Sequence, residues 1–156
     1  MADAPFDIKR AHRWFAVELN NIAWDLLEAP RRSPADNERM IHAAHAACYH
    51  WLEAGNLLNH LRAQCLLATA YSKAGLPEAA VRHADRCLAL SDEAGETQTA
   101  FDRAAAHGCA SLAYSFAGRS ADARAEYEMA AAAKFDDPGE LAVFQRLYPA
   151  PREGDA

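Results

Sequence analysis

The stretch QCLLATAYSKAGLPEAAVRHADRCLA at residues 64–89 recurs in altered form as HGCASLAYSFAGRSADARAEYEMAAA at residues 107–132. The segments AYSKAG at 70–75 and AYSFAG at 113–118 differ at one position and lie 43 residues apart. In each copy a glycine interrupts two alanine-rich, helix-forming segments. The repeat therefore predicts two antiparallel helical hairpins.

The glycines mark the turn of each hairpin. Gly75 and Gly118 each follow a tyrosine by four residues, and we expect them to take the left-handed conformation that ends a helix. Pro77 suits the first turn of the next helix, and Ser120 is predicted to be an N-cap. Small residues on facing positions let the two helices of each hairpin approach closely; these are Ala68, Ala80, Ser111 and Ala123.

These residues resemble the tetratricopeptide repeat family, whose pattern is W-x2-L-G-x2-Y, then A-x3-F, then P. The matching positions are Leu67, Tyr71 and Ala80 in the first copy and Tyr114, Ala123 and Tyr127 in the second. The departures include Gln64, Ala68, Ala84, Asp92, His107 and Ala110. The resemblance covers residues 56–134 and implies an all-α, right-handed solenoid of about three hairpins with a C-terminal capping helix.

The remaining chain supplies the other predicted helices. Helices are expected at about 7–28, from about 34 to a stop at Gly55, and at 57–74, 77–93, 98–117, 121–134 and 138–147. In the first, Phe15, Leu19, Ile22 and Leu26 form an apolar stripe at helical spacing. We expect one domain over 1–156, with flexible ends at 1–5 and 149–156.

Composition narrows the functional classes. The chain has 16 basic and 22 acidic residues, a net charge of −6, so we expect it to bind neither nucleic acid nor membranes. The N-terminus lacks the apolar core of a signal peptide, and we expect a cytoplasmic protein. The four cysteines show no C-x-x-C pair and are predicted to be small core residues.

The resemblance implies a binding module in which the first helix of each hairpin lines a groove for a peptide or protein. The residues that would line this groove, carried over position by position, are Arg62, Cys65, Thr69, Ser72, Lys73, Ala105, Gly108, Leu112 and Ser115. No nucleophile–base motif or glycine-rich phosphate loop is present, so we expect no catalytic activity. A homodimer is a third alternative, because the ends of a short solenoid need capping and dimerisation would cap them.

A polar strip on the second predicted helix supports an alternative. Glu38, His42, His45 and Tyr49 recur at helical spacing, and Glu18 and Asn21 form a similar strip on the first helix. If these strips face each other, they would enclose a pocket for a small ligand or a metal ion. The alternative function is therefore a small-ligand or metal-binding protein, or an enzyme that uses this pocket. The strip lacks a known metal signature, so we expect no metal or cofactor there. His50 is expected to face solvent, and Trp14, Trp24 and Trp51 to lie in the core.

Overall fold

The computed structural model describes residues 6–135 and 137–151, and within these it contains seven α-helices and no strand. The helices are α1 (Ile8–Glu28), α2 (Pro34–Ala54), α3 (Leu57–Lys73), α4 (Pro77–Ala94), α5 (Ala100–Phe116), α6 (Ser120–Ala131) and α7 (Pro138–Leu147). A short 3-10 helix, Gly95–Thr97, precedes α5. The all-α prediction is confirmed. Of the predicted flexible ends, 1–5 and 149–156, residues 1–5 and 152–156 lie outside the described residues.

Side-chain caps start several of the helices. Ser33 and Asp36 form a capping box at α2, and Thr99 and Asp102 form one at α5. In each box the first side chain accepts the backbone N–H of the second residue, whose carboxylate accepts the backbone N–H of the first. Ser120 was predicted to cap α6, but Arg119 holds that position and Ser120 is the first helical residue.

Gly75 and Gly118 end α3 and α5 as predicted. Their φ angles are +75° and +73°. The N–H of Gly75 donates to the Ser72 carbonyl and the N–H of Leu76 to the Tyr71 carbonyl, the bond pair of a Schellman motif. Gly118 and Arg119 repeat this pattern one hairpin later. The glycines are needed because side chains rarely adopt this backbone conformation.

Consecutive helices from α1 to α6 pack together, and α3 also packs against α1 and α5. The predicted close approach within hairpins is confirmed, since Ala68, Ala80, Ser111 and Ala123 are buried. The Ser111 hydroxyl donates to the Ala123 carbonyl at 2.8 Å, joining α5 to α6. The core has two clusters, one spanning α1 to α3 and one spanning α3 to α7. Helix α3 contributes to both and is therefore the centre of the packing.

The apolar stripe predicted for α1 is partly wrong. The buried residues of α1 are Ala16, Ala23 and Leu27, whereas Phe15 and Trp14 remain 44% and 58% exposed. Phe15 stacks on His50, whose ring nitrogen bonds that of His12, so His50 does not simply face solvent. Small residues bring α1 close to α2, and Phe15 lies at the edge of this interface, where much of its ring stays exposed. Of the three tryptophans predicted to lie in the core, Trp51 is buried and Trp24 is partly buried, whereas the prediction is wrong for Trp14.

Helix α7 lies against α5 rather than continuing the pairwise order of helices. Its contribution to the second core cluster comes from three buried residues, Phe144, Leu147 and Tyr148. None of the helices among residues 6–135 and 137–151 combines the length and apolar character of a membrane span.

Candidate functional site

A cavity of about 420 Å³ lies among α1, α3, α5 and α7. We call it the central cavity. Its apolar lining comes from Trp24, Leu61, Phe101, Val143 and Leu147, and its polar lining includes Arg62 and Asp102. A cavity of this size, with apolar walls and a few polar groups, has the character of a ligand-binding site.

Tyr148 forms one wall of the central cavity and holds α7 against α3 and α5. Its hydroxyl lies 3.2 Å from Cys65 Sγ and 3.3 Å from Thr69 Oγ1. Its ring occupies the space beside Gly108, where a Cβ would come within 2.7 Å of the Tyr148 Cγ. Only glycine at position 108 permits this approach of α7 to α5 without a shift of the ring.

Arg62 and Asp102 form the charged edge of the cavity. Arg62 Nε and Nη2 donate to the two carboxylate oxygens of Asp102, both at 2.8 Å. Burial opposes ionisation of Asp102, but the hydrogen bonds from Arg62 and from Thr99 outweigh it and lower the pKa of Asp102. The pair is therefore ionised near neutral pH, and it joins α3 to the start of α5.

Three buried cysteines lie behind the cavity wall. The Sγ atoms of Cys65, Cys87 and Cys109 lie within 4.8 Å of one another, at the junction of α3, α4 and α5. We call this group the thiol cluster. Hydrogen bonding among the thiols lowers the pKa of Cys65 and raises that of Cys109. Cys65 also lines the central cavity, so the cluster adjoins it.

The predicted peptide groove is partly filled by the chain itself. Thr69 and Ser72 are 0% exposed, and their hydroxyls donate to the carbonyls of Cys65 and Ala68 on the same helix. Tyr148 covers Cys65, Thr69 and Gly108. A partner could reach these positions only if α7 moved.

The other residues predicted to line the peptide groove lie in two separate places. Arg62 and Ala105 line the central cavity. Lys73, Leu112 and Ser115 line a second cavity with the segment 149–151. The groove residues therefore do not form one continuous open surface.

The predicted pocket between α1 and α2 is not assembled from its six residues. Glu18, Asn21, Glu38, His42, His45 and Tyr49 are all exposed. Among the described residues, no hydrogen bond or ring contact joins Glu18 or Asn21 to the other four. Within the strip, His45 turns toward α3 and α4, and its Nε2 lies 2.7 Å from the Tyr71 hydroxyl. Tyr49 lies instead beside the ring of His12 on α1. A ligand role for the strip stays a prediction.

His83 lies beside His45 and Tyr71 and forms an aromatic group with them. The sequence analysis did not single out His83. Its ring stacks on Tyr71 with an interplanar angle of 3°, and it lies 5.6 Å from the ring of His45. Its Nδ1 donates to Gln64 Oε1, and its buried Nε2 has no partner among the described residues. Burial lowers the pKa of His83 to about 4, and nearby His45 and Arg82 act in the same direction.

The thiol cluster was also missed, because metal-site reasoning from sequence looks for closely spaced cysteines. One signal was available, since Cys65, Cys87 and Cys109 follow each other at equal intervals of 22 residues. In a chain of helical hairpins about 43 residues long, that interval returns to the same level on successive helices. The three cysteines make up the group of potential metal ligands found among the described residues, and the histidines take no part in it.

Comparisons with protein-family models, with curated proteins and with solved structures found no match for this chain.

Proposed function

We propose that this protein is a non-catalytic binding module that takes up an apolar side chain of a partner peptide or protein in the central cavity. One observation carries the proposal, the cavity of about 420 Å³ with aromatic and aliphatic walls beside the Arg62–Asp102 pair. Trp24 and Phe101 offer flat apolar surfaces to an aromatic or branched side chain. The Arg62 side chain is half exposed and can also donate to the backbone of an incoming segment.

The proposal includes the arrangement that the repeat implies. In a right-handed tetratricopeptide-like solenoid, α1, α3 and α5 would line the inner surface, and α2, α4 and α6 the outer one. The packing of α3 against both α1 and α5 supports this arrangement. We also propose a reducing, cytoplasmic setting, supported by four free cysteines that are all buried.

Selection from a random peptide library displayed on phage, with the purified protein as target, tests this function. We expect enriched peptides that share an aromatic or branched aliphatic residue. Their affinity should fall at least about tenfold in Val143→Trp, because the larger side chain enters the central cavity.

Leu141→Trp is the matched control, since Leu141 lies on the same helix, is exposed and does not line the cavity. It should bind as the parent protein does. Equal binding by the Val143 variant, or no enrichment over a denatured target, would refute the proposal.

A second candidate is a small-molecule binding protein that uses the same cavity. The volume favours it, because drug-sized ligands occupy cavities of about 300–1,000 Å³. Titration with 1-anilinonaphthalene-8-sulfonate, an aromatic anion, tests for such a site. Fluorescence enhancement that saturates at one equivalent and disappears in Val143→Trp supports it, whereas a response that is equal in both proteins argues against it.

Self-association is a further proposal, supported by exposed aromatic rings on α1 and just before it. Phe6, Trp14 and Phe15 are exposed and line a common surface depression. Such areas are typical of interaction sites. Sedimentation equilibrium should show a dimer that Trp14→Ser with Phe15→Ser converts to a monomer, and a parent protein that is monomeric at all concentrations would exclude it.

A further inference from the structure

The thiol cluster has the geometry of a three-sulfur binding site. Its three Sγ atoms come from three different helices and lie within 4.8 Å of one another. An atom at the centre of such a triangle would lie at most about 2.8 Å from each sulfur, against about 2.3 Å for a zinc–sulfur bond. An inward movement of about half an ångström per sulfur would bring all three to bonding distance of an atom in their plane, and an atom above the plane requires a larger movement.

Apart from the contact between Cys65 Sγ and the Tyr148 hydroxyl, the three thiols have no other evident role that requires sulfur. Each donates a weak hydrogen bond to a backbone carbonyl, Cys65 to Ala105, Cys87 to Leu61 and Cys109 to Ala106. These carbonyls belong to α-helices, where the backbone N–H groups already satisfy them. Alanine is the common small core residue of this chain and would fill these positions without reactive chemistry.

The surroundings of the cluster restrict the charge of an ion that it can hold. All three side chains are buried, and the nearby Asp102 is already neutralised by Arg62. A monovalent copper ion on three thiolates would leave two net negative charges in this interior, and a divalent zinc ion would leave one. Burying such charge without a partner is costly. A trivalent ion on three thiolates leaves none.

The number of ligands also favours a trivalent ion. Zinc in structural sites takes four ligands, and among the described residues the cluster offers three, with no histidine or carboxylate in the group. Trivalent arsenic and antimony form three bonds to sulfur in a pyramid, with a lone pair at the fourth position. Cys65 lines the central cavity and is covered by Tyr148, so a small neutral molecule in the cavity can reach the cluster when α7 moves.

We propose that Cys65, Cys87 and Cys109 form a binding site for a trivalent, thiophilic metalloid of the arsenite class. Arsenous acid, As(OH)₃, reaches Cys65 from the central cavity. Three S–H bonds and three As–O bonds break, three As–S bonds and three O–H bonds form, and three water molecules leave. No electron is transferred and no net charge is buried. The adduct covalently joins α3, α4 and α5.

Incubation of the reduced protein with sodium arsenite, both folded and during refolding, tests this site. Native mass spectrometry should show one arsenic atom per chain with the loss of three protons. X-ray absorption at the arsenic edge should show three sulfur neighbours and no oxygen. Absence of the adduct under both conditions, or a first shell that retains oxygen, would overturn the proposal.

Cysteine variants locate the site. Cys65→Ala, Cys87→Ala and Cys109→Ala should each lose the three-sulfur adduct. Cys48→Ala is the matched control, because Cys48 is also buried and free but stands outside the cluster, and it should bind one equivalent. Circular dichroism checks that each variant folds. A three-sulfur adduct that survives in any of the cluster variants contradicts the assignment.

Competing ions test the charge argument. We expect arsenite to remain bound in the presence of an equal concentration of Zn(II) or Cu(I), because those ions leave charge in the interior. If either one displaces arsenite from the folded protein, the site is a metal thiolate site and the inference of a trivalent occupant is wrong. X-ray absorption at the arsenic edge, recorded on the wild-type protein before and after the competing ion is added, shows whether arsenic keeps its three sulfur neighbours. This test needs no variant.

Discussion

The ring of Tyr148 lies directly on Gly108, so closely that a Cβ at position 108 would stand 2.7 Å from Tyr148 Cγ and 2.8 Å from Cδ2. This contact joins the end of α7 to the middle of α5. It converts the face between α3 and α5 from an open groove into a cavity with a tyrosine wall. The residue that allows it is the smallest one available.

Gly108→Ala should therefore destabilise the protein although alanine favours a helix. The added methyl group forces Tyr148 to move, which costs about 1–3 kcal/mol by overpacking, against about 1 kcal/mol gained in helix propensity. Chemical denaturation measures the result. In the Tyr148→Ala background the same change should be stabilising, and additive effects of the two substitutions would contradict the contact.

Gly75→Val and Gly118→Val should each lower the free energy of unfolding by about 1 kcal/mol or more. Both glycines have positive φ, and a Cβ at either position meets no atom within 4 Å. The loss therefore reports backbone conformation alone. Denaturant midpoints are the measurement, and unchanged midpoints for both variants would remove the Schellman argument.

Asp102→Ala should destabilise by about 2 kcal/mol or more, because it removes the α5 capping box and leaves Arg62 without its bidentate partner. The matched control is Asp122→Ala, which breaks the exposed Arg119–Asp122 pair. That change should cost about 0.5 kcal/mol or less. Thermal unfolding at neutral pH compares them, and equal losses would show that burial of the first pair has no effect.

Stability should fall as the pH is lowered from about 6.5 toward 4, in part because of His83. Its pKa is about 4 in the folded protein and about 6.5 when unfolded, so in this window the unfolded chain binds the extra proton and is favoured. The ring is only half-buried, and solvent screening reduces the effect to on the order of 1 kcal/mol.

His83→Gln should flatten this pH dependence, as measured by urea unfolding at a series of pH values. His42→Gln, which changes an exposed histidine on α2, serves as the control. A parent protein whose stability is constant between pH 7 and pH 4.5, or a slope unaltered by His83→Gln, would disprove the assignment.

The four cysteines should react slowly with a thiol reagent such as 5,5′-dithiobis(2-nitrobenzoate) in the native protein and at once after denaturation. All four are buried, and burial also raises the pKa of Cys48, which lowers the fraction of reactive thiolate. Time courses with and without denaturant provide the comparison. Rapid reaction of all four native thiols would show that these helices open readily.

Local signals in the sequence were enough for the helices and their ends. The glycine after each AYSxAG segment, the capping residues around Ser33 and the alanines at facing positions act over a few residues, so they could be recognised along the chain. The existence and approximate bounds of all seven helices followed from them. The one misplaced cap, at Ser120, is an error of a single residue.

The choice of helix faces was less accessible to sequence reasoning. On α1 both a large-residue stripe and a small-residue stripe run along the helix, and close packing against α2 selected Ala16 and Ala23 over Phe15. A periodicity argument weights residues by hydrophobicity, whereas close packing of two helices is decided by shape.

The sequence by itself determined that this chain forms helical hairpins, because caps and turn glycines act on neighbouring residues. Only the tertiary structure decided where α7 lies, which closed the cavity beside Arg62, and only it brought Cys65, Cys87 and Cys109 together. Those relationships join residues on different helices, at least 22 positions apart among the three cysteines and 40 positions apart for Arg62 and Asp102. They depend on how the helices pack in three dimensions, and the residue pattern within any one helix does not predict them.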